Sequence, residues 1–230
     1  MRRMLIILLT LCTSPVTAEP LRIAVAANFR ATLEQINHQF KEDSGEQVLL
    51  SSASTGVLYS QIRHGAPFHL FFAADESSPE QLLASGIGSE GFCYARGALA
   101  LAGASPELRQ LSDPHMTVAI ANPATAPYGR AAMEVLQRKE FSAGNDRKLV
   151  RGNNVVQAYQ FLISGAVDLA LVAKSIAADS AIEIPQQWHQ PLRQKALVLR
   201  THPALDAYLN WVRSDTVRSM ILDAGYRSCP

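Results

Sequence analysis

The chain has 230 residues, of which 18% are charged, and a formal net charge of +1. That near balance leaves no basic footprint for nucleic acid and no cationic helix for a membrane surface, so the expected partner is a small molecule. The six histidines, His38, His64, His69, His115, His189 and His202, are scattered without ligand spacing and read as surface or packing residues. No GxSxG elbow, HExxH, paired CxxC or phosphate loop is present, so nothing in the motifs argues for an enzyme.

Residues 1–18 read as a secretory leader: Arg2-Arg3, an apolar run from Leu5 to Leu11, and Val16-Thr17-Ala18 as a small-residue cleavage site before Glu19. The run is too short to span a bilayer, and bulky Leu11 before Cys12 argues against lipid attachment. The roughly 210 residues that follow are many for one core and suit two lobes. Cys93 and Cys229 are the cysteines that remain, and an oxidising compartment allows either a disulfide between them or two separate buried thiols.

Residues 21–26 form a short apolar strand, and Ala27-Asn28 closes it before a helix with Phe29, Leu33, Ile36 and Phe40 on its apolar face, ended by Gly45. A second strand ends in Ser51-Ser52-Ala53-Ser54-Thr55-Gly56, followed by a helix to His64. This polar turn has two readings. It is an ordinary strand-to-helix turn with Ser54 or Thr55 as N-cap, or it is an anion seat in which N–H groups and hydroxyls meet the positive end of a helix dipole. A third strand, 69–73, leads to Asp75-Glu76-Ser77-Ser78-Pro79, a cap and first turn. Three strand–helix units in succession imply a parallel sheet covered on both faces.

Gly86, Gly88 and Gly91 match GxGxxG, but they follow a helix and precede a strand, the reverse of the order a phosphate loop requires. The long strand 92–102 is expected to cross from one lobe to the other. A second series follows: strand 118–121, turn 122–127, helix 128–139; strand 148–151, turn 152–154, helix 155–164; then a buried strand 168–173. Strand 195–199 is expected to carry the chain back, and two helices, 204–213 and 216–224, to pack on the first lobe. The lobes are thus expected at 19–95 plus 197–230 and at 96–196.

Four helices begin alike, at Ala27-Asn28, Ser54-Thr55-Gly56, Ala126-Pro127-Tyr128 and Asn153-Asn154-Val155, two in each lobe. Each alone is an N-cap; folded over a cleft, the four would converge on one ligand. VAANF at 25–29, SSASTG at 51–56, FFAADE at 71–76, ANPATAPYG at 121–129 and NNVVQA at 153–158 together resemble the periplasmic molybdate-binding proteins, the substrate-binding components of molybdate ABC importers. The resemblance spans nearly the whole chain after the leader. It implies an α/β, type II two-lobed periplasmic binding protein, each lobe a mainly parallel sheet flanked by helices, with a cleft between the lobes.

The same resemblance implies that the ligand is molybdate or tungstate, bound as the oxyanion with no direct protein ligand to molybdenum and no cofactor. It implies a monomer that delivers its ligand to an inner-membrane permease. By position, Asn28 would offer its backbone N–H and its side-chain amide, Thr55 a hydroxyl and N–H, Tyr128 a hydroxyl or N–H, and Val155 a main-chain N–H. Ala27, where a related branch has threonine, is a further candidate contact that lacks the hydroxyl. Ala173 stands where another branch has a ligand tyrosine, which leaves Tyr128 to supply that group. Independently of the resemblance, a donor-only site suits a fully deprotonated oxyanion, whereas protonated phosphate would also need an acceptor. Asp75 is the nearest carboxylate and reads as an N-cap. The alternatives are sulfate, a small organic anion, or an enzyme or sensor module on the same fold.

Overall fold

In a computed structural model, residues 19–177 and 179–229 are described. The leader expected over 1–18 lies outside the described residues. The apolar strand Leu21–Ala26 (β1) is buried along almost its full length, as a strand covered on both faces must be. It pairs in parallel with Val48–Ala53 (β2) on one side and Leu70–Phe72 (β3) on the other. Two antiparallel strands, Gly91–Arg96 (β4) and Arg193–Val198 (β10), complete a sheet of order β2-β1-β3-β10-β4.

The second sheet repeats this plan. Val118–Ala121 (β6) pairs in parallel with Leu149–Gly152 (β7) and Leu169–Ala173 (β8), and Leu99–Gly103 (β5) and Ile182–Glu183 (β9) extend it antiparallel, in the order β7-β6-β8-β5-β9. The fold is therefore the two-lobed type II binding-protein architecture expected from the sequence.

The strand expected over 92–102 is two strands. The chain leaves the first sheet after Arg96, turns through Gly97-Ala98 and enters the second at Leu99. Strand membership puts Arg96 and residues 193–196 with the first sheet, a few residues from the boundaries expected at 95 and 197. At the crossing, a Cβ on Gly97 would fall 2.1 Å from the Tyr128 hydroxyl, so only glycine lets the two chain segments come this close.

Helix Arg30–Ser44 (α1) buries Leu33, Ile36 and Phe40 and stops at Gly45, which adopts φ +75° and returns its N–H to the Lys41 carbonyl. Helices Leu205–Val212 (α6) and Asp215–Asp223 (α7) pack on this lobe as expected. The Tyr208 hydroxyl donates to Asn37 Oδ1 at 2.6 Å, and the Trp211 indole N–H donates to the Ile36 carbonyl at 3.1 Å. Between the two readings of the cysteines, the disulfide is the one formed: Cys93 and Cys229 are bonded with Cα atoms 6.1 Å apart. The tail also exchanges backbone hydrogen bonds between Arg96 and Arg227, so its last residues lie beside β4.

Candidate functional site

Three of the four helix starts are as expected: Thr55–Arg63 (α2) after an extended Ser54, Pro127–Leu136 (α4), and Val155–Ile163 (α5), where the Asn154 side chain accepts the Gln157 N–H at 3.0 Å. The fourth differs. A single 3-10 turn, Ala27–Phe29, precedes α1, so Asn28 lies one turn ahead of the α-helix rather than at its cap. Asn28, Thr55, Tyr128 and Val155 expose only 2%, 1%, 2% and 4% of their surfaces, so all four are enclosed between elements.

Contacts across the cleft bring these starts together in pairs. The Gly56 N–H donates to the Thr125 carbonyl at 2.8 Å, which joins the start of α2 to the turn before α4. The Asn28 amide donates to Gln194 Oε1 at 2.9 Å, and Gln194 Nε2 donates to the Tyr128 hydroxyl at 3.1 Å. The 3-10 turn also packs against α5. Ala26 and Ala74, at the ends of first-sheet strands, share one apolar cluster with Ala126, Tyr128 and Val155 of the other lobe. Ala27 sits at the edge of this contact, where it lines a cleft with Arg30 and Ser52 opposite Asn153, Asn154 and Gln157.

Residues 21–227 match the model of a family described as bacterial extracellular solute-binding protein. The chain is 36% identical over 229 residues to the molybdate-binding protein ModA of Azotobacter vinelandii, an alignment covering 91% of this chain and 90% of that protein. It is 34% identical to ModA of Rhodobacter capsulatus, with 92% and 90% covered. The solved periplasmic molybdate-binding protein of Azotobacter vinelandii superposes with a TM-score of 0.82 at 34% identity, over 91% of this chain and all of that one. The chain belongs to the molybdate-binding branch of the bacterial extracellular solute-binding proteins.

The chemistry of this binding protein's cleft is that of neutral donors. The Ala74 N–H donates to Thr55 Oγ1 at 3.0 Å, so the Thr55 oxygen is already an acceptor and its own hydrogen is left to donate. Next to it, Ser54 Oγ is buried with no hydrogen-bond partner among the described residues. Among the described residues, the N–H groups of Tyr128 at the start of α4 and of Val155 and Val156 at the start of α5 have no backbone carbonyl partner, whereas the Gly56 N–H is engaged by Thr125. Burial, with Tyr226 close by, holds the Tyr128 hydroxyl well above the ordinary tyrosine range, so it stays protonated.

The carboxylate nearest the cleft has both oxygens engaged. Asp75 Oδ1 accepts the Ser78 N–H at 3.0 Å in the first turn of helix Ser77–Ala84 (α3), the capping role expected of it, and Oδ2 pairs with Arg130 across the lobes at 2.8 Å. Among the described residues no group of His, Cys, Asp or Glu is arranged to hold a metal ion, and no helix is long and apolar enough to cross a membrane.

The structure turns the Asn28 side-chain amide away from donation to a ligand, onto Gln194 and the Tyr226 hydroxyl at 3.3 Å. Gln194, Tyr226, Tyr94 and Ser175 are the residues that sequence reasoning missed. One signal was available. Gln194 shares the inward register of β10 with Ala196 and Val198, and a glutamine in such a position must find polar partners. The strand read as starting at Lys195 left it out.

Proposed function

We propose that this chain captures molybdate in the periplasm and hands it to an ABC-type permease, with tungstate bound by the same donors. The observation that carries the reading is the pairing of helix starts from both lobes around buried neutral donors, with the nearby Asp75 carboxylate engaged elsewhere. Such a set matches an anion with acceptors on every side. The molybdate-binding relatives favour molybdate among such anions. On this reading molybdenum is cargo held only as its oxyanion, through Asn28, Thr55, Tyr128 and Val155 with Ala27 at the edge, and no cofactor is needed. The chain acts as a monomeric binding protein rather than an enzyme, exported by its leader, and closure of the lobes marks the loaded state for the permease.

Isothermal titration of the purified protein against molybdate, tungstate, sulfate and phosphate tests this. Tight binding of molybdate and tungstate with much weaker binding of sulfate and phosphate is the expected result. Sulfate bound as tightly as molybdate would overturn the assignment in favour of a general oxyanion carrier.

A further inference from the structure

A chain of hydrogen bonds behind the cleft has a direction that its chemistry imposes. It starts at the Asn28 carbonyl, which can only accept. The Tyr226 hydroxyl lies 2.6 Å from it and must give its single hydrogen there. The Tyr226 oxygen is then restricted to accepting, which it does from Ser175 Oγ at 3.0 Å and from Asn28 Nδ2 at 3.3 Å. This orients the Asn28 amide with its nitrogen inward, and its other hydrogen meets Gln194 Oε1 at 2.9 Å. The Tyr94 hydroxyl lies 2.7 Å from the same Oε1 and 3.0 Å from the Ala73 carbonyl, with one hydrogen between two acceptors, so it is the Asn28 amide that sets which side the Gln194 oxygen faces.

Gln194 Nε2 must then face Tyr128, 3.1 Å from its hydroxyl oxygen. An amide nitrogen only donates, so the Tyr128 oxygen accepts and its own hydrogen has to point elsewhere. Among the described residues, no hydrogen bond runs from the Tyr128 hydroxyl to a protein acceptor. Gln194 is fully buried, and Gly97 leaves the space for its amide and the phenol to meet, since a Cβ there would lie 2.6 Å from Nε2 and 2.1 Å from the hydroxyl oxygen.

We propose that Gln194 is a positioning and specificity-determining residue: by donating to Tyr128 it occupies one side of that oxygen and turns the hydroxyl hydrogen toward the cleft, so that the site favours oxyanions that carry no proton. The proposal rests on the oxyanion-binding reading above. A phenol with a free oxygen could rotate to accept the proton of hydrogenphosphate. A phenol whose oxygen is engaged on one side by an amide presents its hydrogen on the other, which suits a fully deprotonated anion. Gln194 would not touch the ligand. It would act through Tyr128 and, at its other end, hold the Asn28 amide in place.

The test is a double-mutant cycle read by calorimetric titration with molybdate and with phosphate. Gln194→Met should weaken molybdate binding about tenfold in the parent but less than twofold in a Tyr128→Phe background, because the glutamine acts through the hydroxyl already removed. In the same variant the preference for molybdate over phosphate should narrow. Unchanged molybdate affinity, or equal losses in both backgrounds, would overturn the proposal, since a packing defect is indifferent to the Tyr128 hydroxyl. If Gln194→Met melts below the assay temperature, Tyr226→Phe takes its place, with the same non-additivity expected and additive losses counting against the relay. A parent that fails to bind molybdate overturns the functional reading and the relay with it. A parent that binds, with additive losses, overturns the relay alone.

Discussion

The N–H of Gly56 donates to the carbonyl of Thr125 at 2.8 Å, although one residue follows a strand of the first sheet and the other a strand of the second. A Cβ on Gly56 would lie 2.9 Å from that carbonyl oxygen and 3.0 Å from the Thr125 Cα, so a side chain here would wedge the lobes apart. We expect Gly56→Val to leave the folding of each lobe intact while weakening oxyanion binding by about tenfold or more. Small-angle scattering in saturating ligand checks the cause. The variant should stay more extended than the parent, and an equally compact complex would contradict the role of this contact.

The Thr55 hydroxyl accepts the Ala74 N–H, and on the proposed function its own hydrogen is given to the oxyanion. Thr55→Ala should therefore reduce oxyanion affinity by roughly tenfold to a hundredfold, from a charge-assisted bond of about 1.5–3 kcal/mol. It should also lower thermal stability, because the buried Ala74 N–H loses its partner. Thr55→Ser should restore both. If serine restores stability but not affinity, the hydroxyl serves structure alone.

Arg130 and Asp75 pair across the mouth of the cleft at 2.8 Å, with Arg130 nearly half exposed. With its arginine so open to water the pair contributes little, about 0.2–1 kcal/mol. Arg130→Ala should accordingly speed ligand release only a few-fold in stopped-flow measurements, and the difference should shrink as salt is raised. A large, salt-independent change would place Arg130 in the site itself.

His69 is buried in the first lobe, where its Nδ1 accepts the Arg22 N–H at 2.9 Å, an arrangement that requires the neutral ring at that nitrogen. Burial, then His202, and to a lesser degree Arg22 and Arg200 lower its pKa from the ordinary value of 6.5, against an opposing effect of Glu19 that ranks between His202 and the arginines. A group whose folded pKa is depressed contributes stability that is present above the unfolded value and is lost as pH falls through the folded one. The Tm should therefore drop as pH is lowered below about 6.5, and His69→Gln should flatten that part of the profile. A profile of unchanged shape in the variant would assign the acid sensitivity to other groups.

The Cys93–Cys229 bridge joins residues 136 apart in the sequence and holds the tail that carries Tyr226. Cys229→Ser should cost about 2–4 kcal/mol of stability, measured by urea unfolding, and reduction of the parent should cost the same. No difference between oxidised and reduced parent would mean that the backbone pairing of Arg96 with Arg227 is sufficient to hold the tail.

Much of the molecule was legible in the sequence because its signals are local. Apolar runs, N-cap residues and stopping glycines mark elements within a few residues of themselves, and the motifs around Asn28, Thr55, Tyr128 and Val155 each sit in one short strand–turn–helix segment. The single 3-10 turn at Ala27–Phe29 and the break at Gly97-Ala98 were not legible, because packing against other segments decides them. The same holds for the direction of the Asn28 amide and the Tyr128 hydroxyl. Asn28 meets a glutamine 166 residues away and a tyrosine 198 residues away. A hydroxyl or amide can face either way in an isolated segment. Only burial, which forces each donor to find an acceptor, fixes which way these groups face.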